Sequence, residues 1–249
     1  MRIRMILCVV LMLTVSLQIV ADNHTLDEAE DAYVGGNYEA AIAFYELALL
    51  NEGGNGVVYA NLAHSYYMNG QIGKAMLNYR RAEQYLPRNT IIESQIQQIE
   101  QERVDGIIDN SDWLIRTTRL TRDYLTMTEL SIIVFVLWSV FFVGIVFSRN
   151  RQGVSIAVGI VGMAVMIMGS LLLTRLYIET ERPSAVMIDE QVAVMSAPSN
   201  DFLTLFVLYE GIDLNVLENR DEWVRIQLVD GRQGWILESS LDYIPSRLG

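Results

Sequence analysis

The sequence is poor in the residues that carry metal and thiol chemistry. Its 249 residues include one cysteine, two histidines and four prolines. Cys8 is the cysteine, and His24 and His64 are the histidines. The histidines do not fall in a ligand spacing such as His-Glu-x-x-His, so no metal site is expected. No Gly-x-Ser-x-Gly elbow is present. Gly53-Gly54-Asn55-Gly56 lacks the Lys-Ser/Thr of a phosphate loop and reads as a turn. Acid pairs such as Asp27-Glu28 and Glu30-Asp31 open a helix, where carboxylates favour the dipole, and read as a solvated helix start. The reading is of a non-enzyme with no cofactor. Cations are scarce as well. Eighteen basic residues face 30 acidic ones, for a net charge of −12. Lys74 is the only lysine, and the other 17 bases are arginines. Nucleic acid is therefore excluded as a partner, because phosphate binding needs clustered cations.

What the chain has in quantity is apolar residues, at 51%, with a positive mean hydropathy. Membrane segments are sought first. Arg2 and Arg4 precede an apolar stretch from Met5 to about Val20, and Ala21 stands before Asp22-Asn23. Residues 1–21 read as a secretory signal cleaved after Ala21, with Ile19 at the minus-three position; an uncleaved anchor helix is the alternative. Cys8 lies within the stretch, not at its end, so a lipoprotein signal is not expected. Cleavage leaves a mature chain without cysteine, which excludes disulfides and thiolate catalysis.

A repeat follows. Gly36 aligns with Gly70, Tyr38 with Ile72, Ala41 with Ala75, Tyr45 with Tyr79 and Ala48 with Ala82, each at an offset of 34. The second unit, about 56–89, adds Tyr59, Leu62, Ala63, Tyr66 and the closing Pro87. The period and residue types resemble the tetratricopeptide repeat. Small residues let two antiparallel helices approach, and large ones fill the gaps between units. The first unit, about 22–55, departs from the pattern near Thr25 and at Gly53-Gly54. Residues 90–104 carry Ile92, Ile96 and Ile99 at helical spacing and read as a capping helix, with a binding element as the alternative. The repeat domain is placed at 22–105. The resemblance implies a concave groove lined by Asp27, Glu30 and Tyr33 from unit one and Asn61, His64 and Tyr67 from unit two. None of these is a cation, so the groove suits a neutral or basic peptide.

The middle reads as a membrane hairpin, 130–173. Leu130–Phe147 and Val154–Leu173 are runs of 18 and 20 residues without charge. At about 1.5 Å per residue each crosses a hydrocarbon core of about 30 Å, the first barely. Arg149 and Arg151 in the short link favour the cytoplasmic side. Both flanks then lie outside, matching a cleaved signal. Arg116, Arg119 and Arg122, in the 106–129 linker, share one helical face on the external side, where they suit anionic lipid headgroups. Ser155, Gly159, Gly162 and Gly169 give the second span a small-residue side for packing on the first, with dimerisation as the alternative. Residues 22–112 hold 15 acids and 5 bases, and residues 186–249 hold 11 acids and 4 bases. Such acidic flanks are expected to stand off from an anionic bilayer.

After a linker at 174–185 the pattern becomes β. Short runs occupy Val192–Met195, Leu203–Leu208, Leu214–Leu217, Trp223–Leu228 and Gly234–Leu237, separated by turn residues that include Asp230-Gly231. About five strands in residues 186–249 predict a small barrel. The Ala197-Pro198-Ser199 run, Glu210-Gly211, Trp223-Val224-Arg225-Ile226 and the Gly231–Ile236 segment resemble a bacterial SH3-like domain. That resemblance implies binding of peptide or cell-wall material, with Trp235 in the core and Tyr209, Trp223 and Tyr243 on a ligand face.

The fold class expected is thus a multidomain membrane protein with all-α tetratricopeptide hairpins, a two-helix transmembrane hairpin and a small all-β SH3-like barrel. This order, with Trp113 before the first span and the C-terminal Gly-Trp segment, resembles the BatE-type proteins of the bacterial aerotolerance operons. The resemblance implies an envelope adaptor in the inner membrane, multi-pass, with both outer domains periplasmic. It implies partners of two kinds, von Willebrand A-type membrane proteins and a MoxR-type AAA+ ATPase. Peptidoglycan binding or sensing through the β domain is the alternative.

Overall fold

A computed structural model describes residues 24–52, 54–102, 126–148, 152–181 and 183–245. The expected signal 1–21, most of the 106–129 linker with Trp113, Arg116, Arg119 and Arg122, and the link arginines 149 and 151 lie outside the described residues.

Five helices come first: α1 (24–34), α2 (Tyr38–Glu52), α3 (Gly56–Met68), α4 (Ile72–Tyr85) and α5 (Thr90–Glu102). The turns α1–α2 and α3–α4 are copies of each other. Gly36 and Gly70 both adopt the left-handed conformation, at φ 75° and 77°. In each, the next amide closes a six-residue loop, Asn37 N–H to Ala32 O and Gln71 N–H to Tyr66 O, both at 2.9 Å. A helix ended this way needs a residue without Cβ at the left-handed position. Ala41, Ala48, Ala75 and Ala82 are buried, as are Tyr45 and Tyr79, so the aligned alanines and the Tyr45–Tyr79 pair face the core, whereas Tyr38 is only half-buried. Asparagines start three of these helices. Asn37, Asn55 and Asn89 each accept a backbone N–H of the first turn through Oδ1. Ile92, Ile96 and Ile99 of α5 are buried and close the layer.

Two further helices, α6 (Met127–Ser148) and α7 (Gln152–Glu181), are long and apolar enough to cross a membrane, over Thr128–Val146 and Ala157–Thr174. They pair antiparallel. Gly144 meets Val158 and Gly162 meets Phe141, where an added Cβ would approach each to 2.7 Å. Gly159 and Gly169, expected on the same packing side, face open space instead. The outward side chains, Phe135, Val146 and Met166 among them, are exposed. The segment expected as a linker, 174–185, is mostly helix. Nothing breaks α7 before Glu181, and Pro183 then forbids its continuation. The pairing of 144 with 158 and of 141 with 162 sets Thr174 level with Glu129. The start of α6 at Met127 is then level with residue 176, and residues 177–181 stand beyond it by about 7–8 Å.

A seven-stranded antiparallel sheet ends the chain: β1 (Ser184–Met187), β2 (Gln191–Met195), β3 (Thr204–Tyr209), β4 (Asp213–Arg220), β5 (Trp223–Leu228), β6 (Gln233–Leu237) and β7 (Leu241–Tyr243). The order is β3-β2-β6-β5-β4-β1-β7. The five expected runs correspond to β2–β6. The flanking strands β1 and β7, which pair with each other, complete the sheet. Val224, Ile226 and Leu228 alternate inward on β5, and Gly231 turns the β5–β6 hairpin at φ 88°. Trp235 is buried.

The helical and β units share a buried seam along α4. Val186 is fully buried in the helical core, with Ile188 and Ile244 packed against it. Gly73 is the point of closest approach. An added Cβ there would lie 2.7 Å from Met187 O and 2.9 Å from Ile188 Cα. Its N–H donates to Glu210 Oε2 at 2.7 Å. Two turns further on, arginines take over. Arg80 donates to both oxygens of Asp213 and to Glu100, at 2.5–3.2 Å. Arg81 donates to Asp242 Oδ2 at 3.1 Å and to Tyr243 O at 3.3 Å. The carboxylates around Arg80 raise its pKa against the opposing effect of burial. At the far end of α4, Arg88 pairs with Glu129 in the first turn of α6 at 2.5 Å.

Candidate functional site: a groove on the first helices of the repeats

The left-handed turns set α1 and α3 side by side, which brings their exposed faces together. The Tyr33 ring lies 5.6 Å from that of His64, and His64 stacks near-parallel to Tyr67 at 6.3 Å. Tyr38 at the start of α2 adds a fourth ring, 5.5 Å from Tyr33. Asn61, one turn before His64, is exposed and hydrogen-bonds the otherwise buried Tyr45. Asp27 and Glu30 are exposed on α1, one turn apart. Of the six residues expected to line the groove, Tyr33, His64 and Tyr67 thus form one cluster, with Asn61 a turn away.

Helix α5 does more than cap. Its polar face supplies Gln95, Gln98 and Glu102 to the same surface. The Tyr79 hydroxyl donates to Gln95 Oε1 at 3.3 Å, which leaves its oxygen to accept from His64 Nδ1 at 3.0 Å. The Tyr67 hydroxyl donates to Glu102 at 3.0 Å and accepts from Gln98 Nε2 at 2.9 Å. Gln98 also donates to Glu102 at 3.0 Å. Two chains of hydrogen bonds therefore fix the aromatic side chains of the groove to α5. Only the tertiary fold shows this, because Gln95, Gln98 and Glu102 look like ordinary solvated positions between the buried isoleucines. Tyr38 and Tyr79 were legible as repeat positions, though not as groove neighbours.

The electrostatics match the composition. Burial lowers the His64 pKa, so its ring is neutral near pH 7. Burial, then the Glu102 carboxylate, raises that of Tyr67. Burial strongly raises that of Tyr79. The surface therefore offers ring faces, acceptor oxygens and exposed carboxylates, and can receive donors or a cationic side chain. Among the described residues, no three His, Cys, Asp or Glu side chains are grouped to hold a metal ion.

The three residues expected to form a ligand face on the β unit are not brought together. Tyr209 is exposed on β3 and Tyr243 lies on β7, the two ends of the sheet order. The Tyr243 hydroxyl donates to Glu238 at 2.9 Å and accepts from Asn219 at 3.4 Å. Trp223 is half-buried on β5 opposite Leu237. Beside it lies a shallow cavity of about 590 Å³, lined by Asp221, Glu222, Leu237, Glu238 and Ser239. A different feature stands out on this unit. Leu205, Val207 and Tyr209 alternate along the outer face of edge strand β3, Leu203 stands just before it, and all four are exposed. No protein-family model matches the chain, and no curated protein matches it either.

Proposed function

We propose that this chain is a membrane-anchored, non-enzymatic adaptor that holds protein partners at the bacterial inner membrane, as in the BatE-type proteins. The observation that carries this is a half-buried aromatic cluster from α1 and α3, tied to α5 by hydrogen bonds and bordered by acceptors. The turns at Gly36 and Gly70, superimposable in conformation and 34 residues apart, support the tetratricopeptide likeness. The sheet of short antiparallel strands with Trp235 inside supports the SH3-like one. The seam along α4 supports the topology. Two units in direct contact occupy the same side of a membrane, which requires an even number of spans between them. The α6–α7 hairpin supplies two. A periplasmic position for both follows from the signal and the link arginines.

An adaptor of this kind gathers partners by tethering, which raises their effective concentration near one patch of membrane. Von Willebrand A-type membrane proteins and a MoxR-type ATPase system are the partners proposed. The test is co-purification from detergent, comparing the intact protein with Tyr33→Ala and Tyr67→Ala. Recovery of von Willebrand-type proteins should fall at least about fivefold in each variant if each ring contributes over about 1 kcal/mol of contact. Unchanged recovery from both variants would remove the groove from the proposal. The exposed face of β3 favours a second reading, wall binding. In that case the protein is retained on purified sacculi, and Leu205→Glu and Tyr209→Ala release it.

A further inference from the structure

The helical unit has two ends, and one of them is pinned to the start of a span. Helices α2 to α5 alternate in direction, so the α2–α3 and α4–α5 connections lie at the same end. They touch. Tyr85, at the end of α4, stacks on Tyr59 of α3 at 5.7 Å. A Cβ on Gly56 would meet Leu86 Cγ and Tyr85 Cβ at 2.7 Å. Arg88 in the α4–α5 connection pairs with Glu129, in the first turn of α6, and Leu130 beside it is fully buried.

This end carries a rim of apolar side chains that are exposed among the described residues. Leu50 at the end of α2 is 83% exposed and Ile91 at the start of α5 is 71% exposed. Val57 at the start of α3 and Tyr85 are each more than half exposed. In water such a rim is a liability. Next to the first turn of a membrane-crossing helix it lies at the level of the lipid headgroups, where aliphatic and tyrosine side chains are stabilised. We infer that the rim formed by Leu50, Val57, Tyr85 and Ile91 rests in the headgroup layer of the bilayer, so that the helical unit lies against the membrane. The acidic composition does not prevent this, because the contact is made by one end and not by the whole surface. Residues 177–181 of α7 fit the same arrangement. They carry the chain about 7–8 Å past the start of α6, toward the β unit that Arg80 and Arg81 contact on α4.

The inference rests on the membrane reading of α6 and α7, and the test separates the two. The full chain carrying Cys8→Ser is labelled with a nitrobenzoxadiazole fluorophore at single cysteines, Leu50→Cys, Val57→Cys or Ile91→Cys. Val34→Cys, exposed at the opposite end of the unit, is the aqueous control, and Val143→Cys is the span control. Each is placed in phosphatidylcholine–phosphatidylglycerol vesicles with and without lipid spin-labelled near the headgroup. All five positions are exposed, so labelling displaces no packed side chain. A rim seated about 5–10 Å into the boundary should be quenched at least about threefold more than position 34. If positions 50, 57 and 91 behave as position 34 while 143 is quenched, the rim stands in water and the inference fails alone. If 143 is not quenched either, the membrane reading falls with it.

Discussion

Replacing Gly73 with alanine sets two effects of opposite sign against each other. Gly73 lies in the first turn of α4. Counted on helix propensity alone, alanine would stabilise by up to about 1 kcal/mol. The seam reverses the sign. The new Cβ would stand 2.7 Å from Met187 O, 2.9 Å from Ile188 Cα and 3.0 Å from Ile188 O. These are backbone atoms of the chain leaving β1, so no side-chain rotation relieves the contact. Reaching an ordinary carbon–oxygen separation of about 3.3 Å moves the two units apart by roughly 0.6 Å. That movement lengthens the Gly73–Glu210 hydrogen bond and loosens the Arg80–Asp213 pair beside it. Overpacking of this kind costs about 1–3 kcal/mol, and a charge-assisted hydrogen bond is worth about 1.5–3 kcal/mol. The expected net result is a loss of about 1–2 kcal/mol. The assay is urea unfolding in detergent followed by the fluorescence of Trp223 and Trp235, with amide exchange at Met187 and Ile188 as the local readout. A stability gain near 1 kcal/mol with unchanged exchange would refute the reasoning, because propensity would then have won and the seam would carry no weight.

Three further outcomes follow from the same structure. Arg80→Ala, Asp213→Asn and the double variant should show a coupling of about 1.5–3 kcal/mol in a denaturation cycle, since the pair is bidentate and part-buried; additive losses would show that the two side chains do not act together. Burial lowers the His64 pKa below its ordinary 6.5. The unfolded chain then binds more protons than the folded one, so stability is fully present above 6.5 and falls as the pH drops below it. Denaturation from pH 8 to pH 5 should show this loss in the native protein and a flatter profile in His64→Gln; identical profiles would contradict it. Tyr67→Phe removes the hydroxyl shared by Gln98 and Glu102, and should cost about 0.5–1 kcal/mol with faster amide exchange near the end of α5; unchanged exchange there would mean that α5 is held by its isoleucines alone.

Much of the architecture was written locally. The α1–α2 and α3–α4 turns were legible because a left-handed helix end demands glycine, and Gly36 and Gly70 stand 34 residues apart. The two long apolar helices, α6 and α7, were legible because uncharged runs of about 20 residues favour helices long enough to cross a membrane. Strands β2–β6 were legible from alternation and from Asp230-Gly231. Strands β1 and β7 were not, because short strands of three or four residues carry too little pattern and gain their meaning from pairing with each other and, for β1, with β4. The end of α7 was missed for a related reason. Hydropathy marks where a helix can enter lipid, whereas Pro183 marks where the helix stops.

The candidate site divides in the same way. The tetratricopeptide resemblance implied that Tyr33, His64 and Tyr67 share one surface with Asp27, Glu30 and Asn61, and the ring contacts join the first three. Gln95, Gln98 and Glu102 joined them only through the tertiary fold. A polar side chain facing water has the same sequence signature whether it hangs free or reaches a neighbouring helix. The seam on α4 was equally hidden. Gly73, Arg80 and Arg81 look like routine surface positions until strand β1 and Asp213 arrive from more than a hundred residues away. The sequence by itself determined the kinds of element and their order, because those follow from short-range sterics and hydropathy. The tertiary structure decided which faces meet, because that depends on charges and close approaches brought together from distant parts of the chain.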